Sequence, residues 1–271
     1  MQRITSRDNP KVKNAAGLIK SKNRKDEGLF LIEGKKLVEE ALQCDIKLVR
    51  LFFDEAKLPS MEEFLKEDYG IERYVLTSQV FRFISDTQTP QGVIAVARKP
   101  EYSVKTIADT GEFLILLDHI SDPGNLGGMI RTAWALGVGG ILLTRGCVDP
   151  FNPKVVRASM GGIFHVPVAC DIEARDLIDL KQHQGFTILG TELHADRDLF
   201  DCVFTGRQVV VIGSESQGIS GEIKGICDSL FKIPMEAGVD SLNAAIACGI
   251  IACEAYRQRR AVPCYEKSFM L

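Results

Sequence analysis

A strand end, a turn and a helix start follow one another in IPMEAGVDSLNAA, the stretch from Ile233 to Ala245. The apolar residues that end at Ile233 predict a strand, and the proline and glycine that follow predict a turn. The apolar residues from Ala244 onward predict a long helix. Serine favours the N-cap position, so we expect Ser241 to cap this helix. The capped helix start would then present backbone N–H groups and small polar side chains to a cleft.

Two further polar, glycine-rich loops lie upstream of this stretch. They are DPGNLGGMIRTA at Asp122–Ala133 and GSESQGI at Gly213–Ile219. Together the three loops, in this order and spacing, resemble the three motifs of the SpoU (TrmH-type) family of RNA ribose methyltransferases, within the SPOUT superfamily. The resemblance extends from Phe113 to Arg259 and is specific, because it requires all three loops.

The resemblance implies an S-adenosylmethionine site and a set of catalytic residues. Cofactor contacts fall on the ends of strands and on the third loop, at Thr191, Gly213, Ile233 and Leu242. Catalytic positions fall on all three loops, at Asn125, Arg131, Glu215, Ser241 and Asn243.

The resemblance also implies individual roles. Arg131 would bind a phosphate or ribose oxygen through the two donors of its guanidinium. Glu215 would orient Arg131 or a ribose hydroxyl, and Asn125 would turn freely near a helix start. Arginine is a poor base because its pKa exceeds about 12. Arg131 is therefore expected to orient and stabilise, with an RNA phosphate as the candidate proton acceptor.

The pattern of apolar residues predicts an α/β protein with two domains. Uniformly apolar strands that alternate with helices after Phe113 predict a mostly parallel sheet covered on both faces. Alternating strands and helices before Arg98 predict a smaller layered domain, and the polar segment Arg98–Gly111 is expected to be the linker. The predicted domains are residues 1–104 and 105–271. Family resemblance, and not spacing, adds a deep trefoil knot and a homodimer to the second domain.

The first domain has its own, less specific resemblance. Its motifs include TSRDNPKVK near the N-terminus, FLIEG at Phe30–Gly34 and TPQGV at Thr89–Val93. They are similar to the substrate-binding domain of many SpoU enzymes, which resembles ribosomal proteins that hold kinked RNA. We therefore expect RNA binding here. Eight basic residues and one acid in Met1–Lys25 support it, because clustered positive charge can neutralise phosphates.

Composition narrows the class of protein further. Hydrophobic residues make up 45% of the sequence and charged residues 25%, which is typical of a globular domain. No run of apolar residues is long enough to span a membrane. Eight cysteines without a Cys-x-x-Cys pair predict reduced thiols in the cytoplasm. The four histidines show no metal-ligand spacing, so no metal site is expected.

Several functions remain as alternatives. Structured RNA, above all 23S ribosomal RNA, is the expected substrate because an additional domain suits folded RNA; transfer RNA is the alternative within the class. A non-catalytic RNA-binding or assembly factor could also keep this fold. A nicotinamide or flavin enzyme is disfavoured, because Gly124, Gly127 and Gly128 do not have the G-x-G-x-x-G spacing.

Overall fold

The structure is a computed structural model that describes residues 1–44, 46–62, 64 and 70–260. It contains two compact units. The first comprises Met1–Glu101 and Asp149–His165, and the second comprises Tyr102–Val148 and the chain from Val166 onward. Asp149–His165 therefore packs with the N-terminal residues although it lies far along the chain. The functional division into residues 1–104 and 105–271 stays a prediction.

The first unit is built on a mixed five-stranded sheet in the order β1-β4-β3-β5-β2. Strands β1, β4 and β3 are parallel, whereas β5 is antiparallel to both β3 and β2. The strands are β1 Gln2–Ile4, β2 Leu29–Glu33, β3 Leu48–Asp54, β4 Glu72–Leu76 and β5 Val93–Arg98. The helices of this unit are α1 Pro10–Gly17, α2 Ser21–Glu27, α3 Lys35–Gln43, α4 Ser78–Ile84 and, from the later segment, α7 Pro153–Ala158.

The second unit contains a six-stranded sheet in the order β11-β9-β10-β6-β7-β8. All its strand pairs are parallel, which confirms the predicted sheet. The strands are β6 Phe113–Asp118, β7 Gly140–Thr144, β8 Val168–Ile172, β9 Thr187–Thr191, β10 Gln208–Gly213 and β11 Ser229–Phe231. The helices are α5 Val104–Thr110, α6 Pro123–Ala135, α8 Ala174–Gln184, α9 Gly221–Lys224 and α10 Ala244–Arg260. No helix among the described residues has the length and apolar character needed to cross a membrane.

The structure differs from the sequence-based expectations in a few elements. The predicted linker contains α5, because Ser103 and Thr106 form a reciprocal capping box at its start. Strand β8 was not predicted, since its exposed Cys170 and Asp171 interrupt the apolar pattern. The helix expected from Met61 to Lys66 lies partly outside the described residues.

Candidate active site

A cavity of about 350 Å³ opens in the second unit, where strands β9, β10 and β11 end. Ligands of open parallel sheets bind at this carboxyl edge. The size lies within the range of small-molecule sites, about 300–1,000 Å³. The lining includes all four residues predicted to hold a cofactor and two of those predicted to be catalytic: Thr191, Gly213, Ile233, Leu242, Glu215 and Ser241.

Gly213 allows one wall of the cavity to form. The loop after β10 folds back on itself, with the Gly218 N–H donating to the Ser214 carbonyl at 2.9 Å. A Cβ atom on Gly213 would lie 2.1 Å from the Gly218 carbonyl carbon, a distance that real atoms do not adopt. Only glycine fits this closure, and Gly218 itself has a φ of +65°.

Glu215 joins the three predicted loops. Its Oε1 accepts hydrogen bonds from Asn125 Nδ2 at 2.7 Å, from Asn243 Nδ2 at 3.3 Å and from the Ala244 N–H at 3.0 Å. Asn243 Nδ2 also donates to Asn125 Oδ1 at 3.0 Å. The structure thus brings together three of the five predicted catalytic residues. The bond from Ala244 places the carboxylate at the positive N-terminus of α10, where a negative charge is stabilised.

Asn243, and not Ser241, caps helix α10. Asn243 Oδ1 accepts from the N–H groups of Ala245 at 3.0 Å and Ile246 at 3.3 Å. The expectation for Ser241 is therefore wrong. Both are favoured cap types, but α10 begins at Ala244, and only the residue directly before it can reach the second and third N–H groups. Ser241 lines the cavity instead.

Asn125 and Arg131 both lie within α6. Asn125 is the third residue of this helix, near its start as expected, and its N–H donates to Asp122 Oδ1 at 2.7 Å; its side chain is not free in orientation, because Nδ2 donates to Glu215. Six residues separate Arg131 from Asn125, which places it about a third of a turn away around the helix. Arg131 is exposed and forms no hydrogen bond or ion pair with any described residue. Glu215 therefore orients the two asparagines and does not contact Arg131 through a hydrogen bond.

Asp118 supports the site and was not predicted from the sequence. It ends β6, is fully buried, and accepts from Thr144 Oγ1 and from the Ser220 N–H, each at 2.7 Å. Burial raises the pKa of Asp118, but these hydrogen bonds outweigh it, so the net pKa lies below its ordinary value. The carboxylate ties the end of β7 and the segment after Gly218 to β6. An acid directly after five apolar strand residues is the signal that could have identified it.

Asp118→Asn is expected to lower the free energy of unfolding at pH 7 by about 1.5–3 kcal/mol, the usual size for hydrogen bonds to a charged group. The depressed pKa stabilises the folded state above the unfolded-state pKa, and this contribution is lost as pH falls through the folded-state value. Urea unfolding across the acidic range should therefore show the variant and wild type converging at low pH. Asp179→Asn, at an exposed acid, is the control. Equal stability of Asp118→Asn and wild type at pH 7 would contradict this role.

Two family models match the chain. The SpoU rRNA Methylase family model matches residues 112–253. The MRM3-like substrate binding domain model matches residues 9–95. The first match contains the cavity and the Glu215 network, and the second covers most of the N-terminal residues of the first unit.

Characterised relatives cover nearly the whole chain. The 23S rRNA (guanosine(2553)-2′-O)-methyltransferase RlmP of Bacillus subtilis is 34% identical over 93% of this chain and 98% of its own length. The 23S rRNA (uridine(2479)-2′-O)-methyltransferase of Streptomyces viridochromogenes is 31% identical over 95% of this chain and 93% of its own length. The AdoMet complex of the SpoU methyltransferase AviRb from Streptomyces viridochromogenes matches with a TM-score of 0.86 at 28% identity, covering 93% of this chain and 99% of that one. An AdoMet-bound rRNA methyltransferase from Sinorhizobium meliloti gives a TM-score of 0.83 at 32% identity. The match covers 94% of this chain and 97% of that one.

Fold, site and relatives together define a methyltransferase of the SPOUT class. The chain belongs to the SpoU family of RNA 2′-O-methyltransferases, and S-adenosylmethionine is its cofactor. The cavity fits this group: apolar side chains such as Ile233 and Leu242 suit an adenine ring, while Thr191 and backbone polar groups suit its ribose and amino-acid parts.

Proposed function

We propose that this enzyme methylates a ribose 2′-hydroxyl in structured ribosomal RNA, with 23S rRNA as its substrate. The observation that carries the proposal is the convergence of Asn125, Glu215 and Asn243 beside a cavity lined by the four expected cofactor residues. A polar network next to a cofactor cavity can orient a hydroxyl for in-line transfer. A non-catalytic RNA-binding factor would not need this arrangement.

Each side chain of the site has a separate task in the proposed reaction. S-adenosylmethionine, when bound, supplies an activated methyl group. Glu215 Oε1 is occupied by three donors, whereas its Oε2 has no hydrogen bond within the described residues and is available to accept one from the ribose hydroxyl. Ser241 borders the cavity and can position the same hydroxyl. Arg131 holds a ribose or phosphate oxygen through two donors, the methyl–sulfonium bond breaks as the methyl–oxygen bond forms, and an RNA phosphate accepts the hydroxyl proton.

The substrate proposal rests on the relatives and on the N-terminal unit. Two relatives carry 23S rRNA in their names, and residues 9–95 match a substrate-binding domain. The test is transfer of labelled methyl groups from S-adenosylmethionine to 23S rRNA, 16S rRNA and transfer RNA, followed by digestion to nucleosides. The proposal predicts a 2′-O-methylnucleoside from 23S rRNA. Label found only in transfer RNA would favour transfer RNA as the substrate. A labelled methyl group on a base would contradict methylation of the ribose.

The basic N-terminal segment is less available for RNA than its composition suggests. Arg24 is only 1% exposed and pairs with Asp149 at 2.7 Å. Arg3 and Lys11 pair with Glu55 and Glu72 at 2.8 and 2.9 Å. Val12 and other residues of this segment are buried in the core of the unit, so its deletion would disturb folding as well as RNA binding. The positive charge that is available to neutralise phosphates is therefore smaller than the eight basic residues of Met1–Lys25 suggest.

Two lysines of the N-terminal segment, Lys20 and Lys22, are exposed and form no ion pair with a described residue. Replacing both with alanine is expected to weaken RNA binding and to flatten its salt dependence by roughly one log-log unit for each phosphate that is no longer neutralised. Binding measured at several salt concentrations checks this, with Lys105→Ala in the second unit as the control. An unchanged slope would show that these lysines are only solvated.

We further propose a homodimer formed through one face of the second unit. Large apolar side chains are exposed in this unit, with Trp134 at 41%, Phe200 at 64%, Val203 at 59% and Ile246 at 56%. Phe200 and Ile246 line one groove, and apolar patches of this kind mark interaction sites. Thr132 lines the same groove and directly follows Arg131, so pairing through this face would place Arg131 close to the subunit interface.

Ile246→Glu is expected to convert the dimer to a monomer, because a charge would be buried at the proposed interface. Sedimentation velocity at several concentrations measures the change. Ile178→Glu is the matched control, since Ile178 is 40% exposed on another helix of the same unit. A wild-type monomer, or a dimer that tolerates Ile246→Glu, would contradict the proposed interface.

The proposal also includes a knotted chain in the second unit and a cytoplasmic location. A deep trefoil knot in the second unit is implied by family membership. A cytoplasmic location suits a ribosomal substrate, and the cysteines are expected to be reduced thiols there.

A further inference from the structure

Three side chains with potential metal-ligand atoms meet in the first unit, and none of them lines the cofactor cavity. Glu40 lies in α3, Cys44 caps the C-terminus of that helix, and His165 follows a short 3-10 helix at Gly162–Phe164. His165 Nε2 lies 2.6 Å from Glu40 Oε1 and 3.3 Å from Cys44 Sγ, and Sγ lies 4.0 Å from Oε1. A carboxylate, a thiol and an imidazole nitrogen therefore converge on one point.

The geometry argues against a nucleophile relay. In such a relay, a histidine uses one ring nitrogen for the nucleophile and the other for the carboxylate. Here Nε2 is the nearest ring nitrogen to the thiol and also contacts the carboxylate, while Nδ1 lies 3.9 Å from the thiol. One nitrogen that faces both an oxygen and a sulfur is the arrangement expected of ligands around a common ion.

The local backbone favours this convergence and a positive charge within it. Glu40 and Cys44 are four residues apart, so they share one face of α3. Cys44 lies at the C-terminus of α3, where the helix dipole stabilises cations. Gly161, with a φ of +95°, lets the segment before His165 approach closely, since a Cβ atom there would lie 3.0 Å from Glu40 Cγ. The side chains of Glu40 and His165 are 32% and 29% exposed, which leaves a path for an ion from solvent.

We propose that Glu40, Cys44 and His165 bind a divalent transition-metal ion of the zinc type. Thiolate, imidazole and carboxylate are the ligands that zinc takes, at about 2.0–2.3 Å, which places tetrahedral ligand atoms roughly 3.4–3.6 Å apart. The ion would replace the proton between His165 and Glu40, and that contact would widen by less than about 1 Å. Three protein ligands leave a fourth position for water. The site would fasten α3 to the segment that ends at His165.

Cobalt titration of the metal-free, full-length protein tests the proposal, because a Co²⁺–thiolate bond gives a near-ultraviolet charge-transfer band. One equivalent per chain should produce the band, and zinc should displace the cobalt and abolish it. Cys44→Ser should remove the band. His165→Ala and Glu40→Gln should weaken affinity by about a hundredfold or more, since loss of even an outer partner costs roughly ten- to a hundredfold.

Matched controls separate this site from adventitious binding. Cys170→Ser removes an exposed thiol elsewhere, and His183→Ala removes an exposed histidine that pairs with Asp179. Both should bind cobalt as wild type does. Zinc should also raise the thermal midpoint of wild type and the controls but not of the three site variants, because only a ligand that binds the folded state stabilises it. Absence of the band in wild type, or its persistence in Cys44→Ser, would overturn the proposal.

Discussion

Arg131→Ala is expected to reduce methyl transfer about a hundred- to thousandfold, the usual cost of removing one donor that stabilises developing charge. Arg131 has no hydrogen bond within the described residues and lies outside the cavity lining, so its guanidinium donors are not engaged within the subunit. For the same reason, its loss should leave the affinity for S-adenosylmethionine unchanged. Single-turnover transfer measures the first quantity and calorimetry measures the second.

Two further variants separate the guanidinium contact from a general charge effect. Arg131→Lys should recover little activity, because a single ammonium cannot form the two-donor contact of a guanidinium. Arg175→Ala, at an exposed arginine that pairs with Glu173, should behave as wild type. Near-wild-type turnover of Arg131→Ala would exclude the proposed role, and an equal loss in Arg175→Ala would indicate a general effect of surface charge.

Leu242→Asp is expected to weaken S-adenosylmethionine binding by about a hundredfold or more. Leu242 lines the cavity and is partly buried, and burying an unpaired charge costs several kcal/mol, where about 1.4 kcal/mol is a tenfold change in affinity. Calorimetric titration of the folded variant measures the change directly, and circular dichroism checks that the variant has folded.

Val239→Asp provides the matched control for this substitution. Val239 lies in the same loop, is 48% exposed and does not line the cavity, so its affinity should remain that of wild type. Equal affinities for Leu242→Asp and wild type would exclude the cavity as the cofactor site. An equal loss of affinity in both variants would show that the loop as a whole, and not the Leu242 side chain, determines S-adenosylmethionine binding.

The parallel sheet was predictable because it depends on local sequence, whereas the residues of the cavity lining were expected from the family resemblance. Each buried strand is visible in the sequence as a run of apolar residues, and parallel strands bring their carboxyl ends to one edge of the sheet. Thr191 and Gly213 end strands β9 and β10, and Leu242 lies in the third loop, but only the family resemblance indicates that these positions hold the cofactor. Short strands such as β1 and β8 were not predicted, because three to five residues with exposed polar side chains carry too little pattern.

Pairings between distant residues could not be predicted. Asn125 and Glu215 are 90 residues apart, and nothing in either loop indicates that the carboxylate contacts the amide and not Arg131. Arg24 contacts Asp149 across 125 residues, so the composition of the N-terminal segment does not reveal that this positive charge is paired. Glu40 and His165 are likewise 125 residues apart, so their proximity leaves no spacing motif.

The central claim is 2′-O-methylation of ribosomal RNA. The most direct measurement is a transcriptome-wide map of 2′-O-methyl marks in 23S, 16S and transfer RNA from cells with and without the gene, complemented by wild type or Arg131→Ala. We predict that one 2′-O-methyl mark in 23S rRNA disappears with the gene, returns with the wild-type protein and stays absent with Arg131→Ala. Maps that are identical with and without the gene, or a mark restored equally by both proteins, would contradict the account.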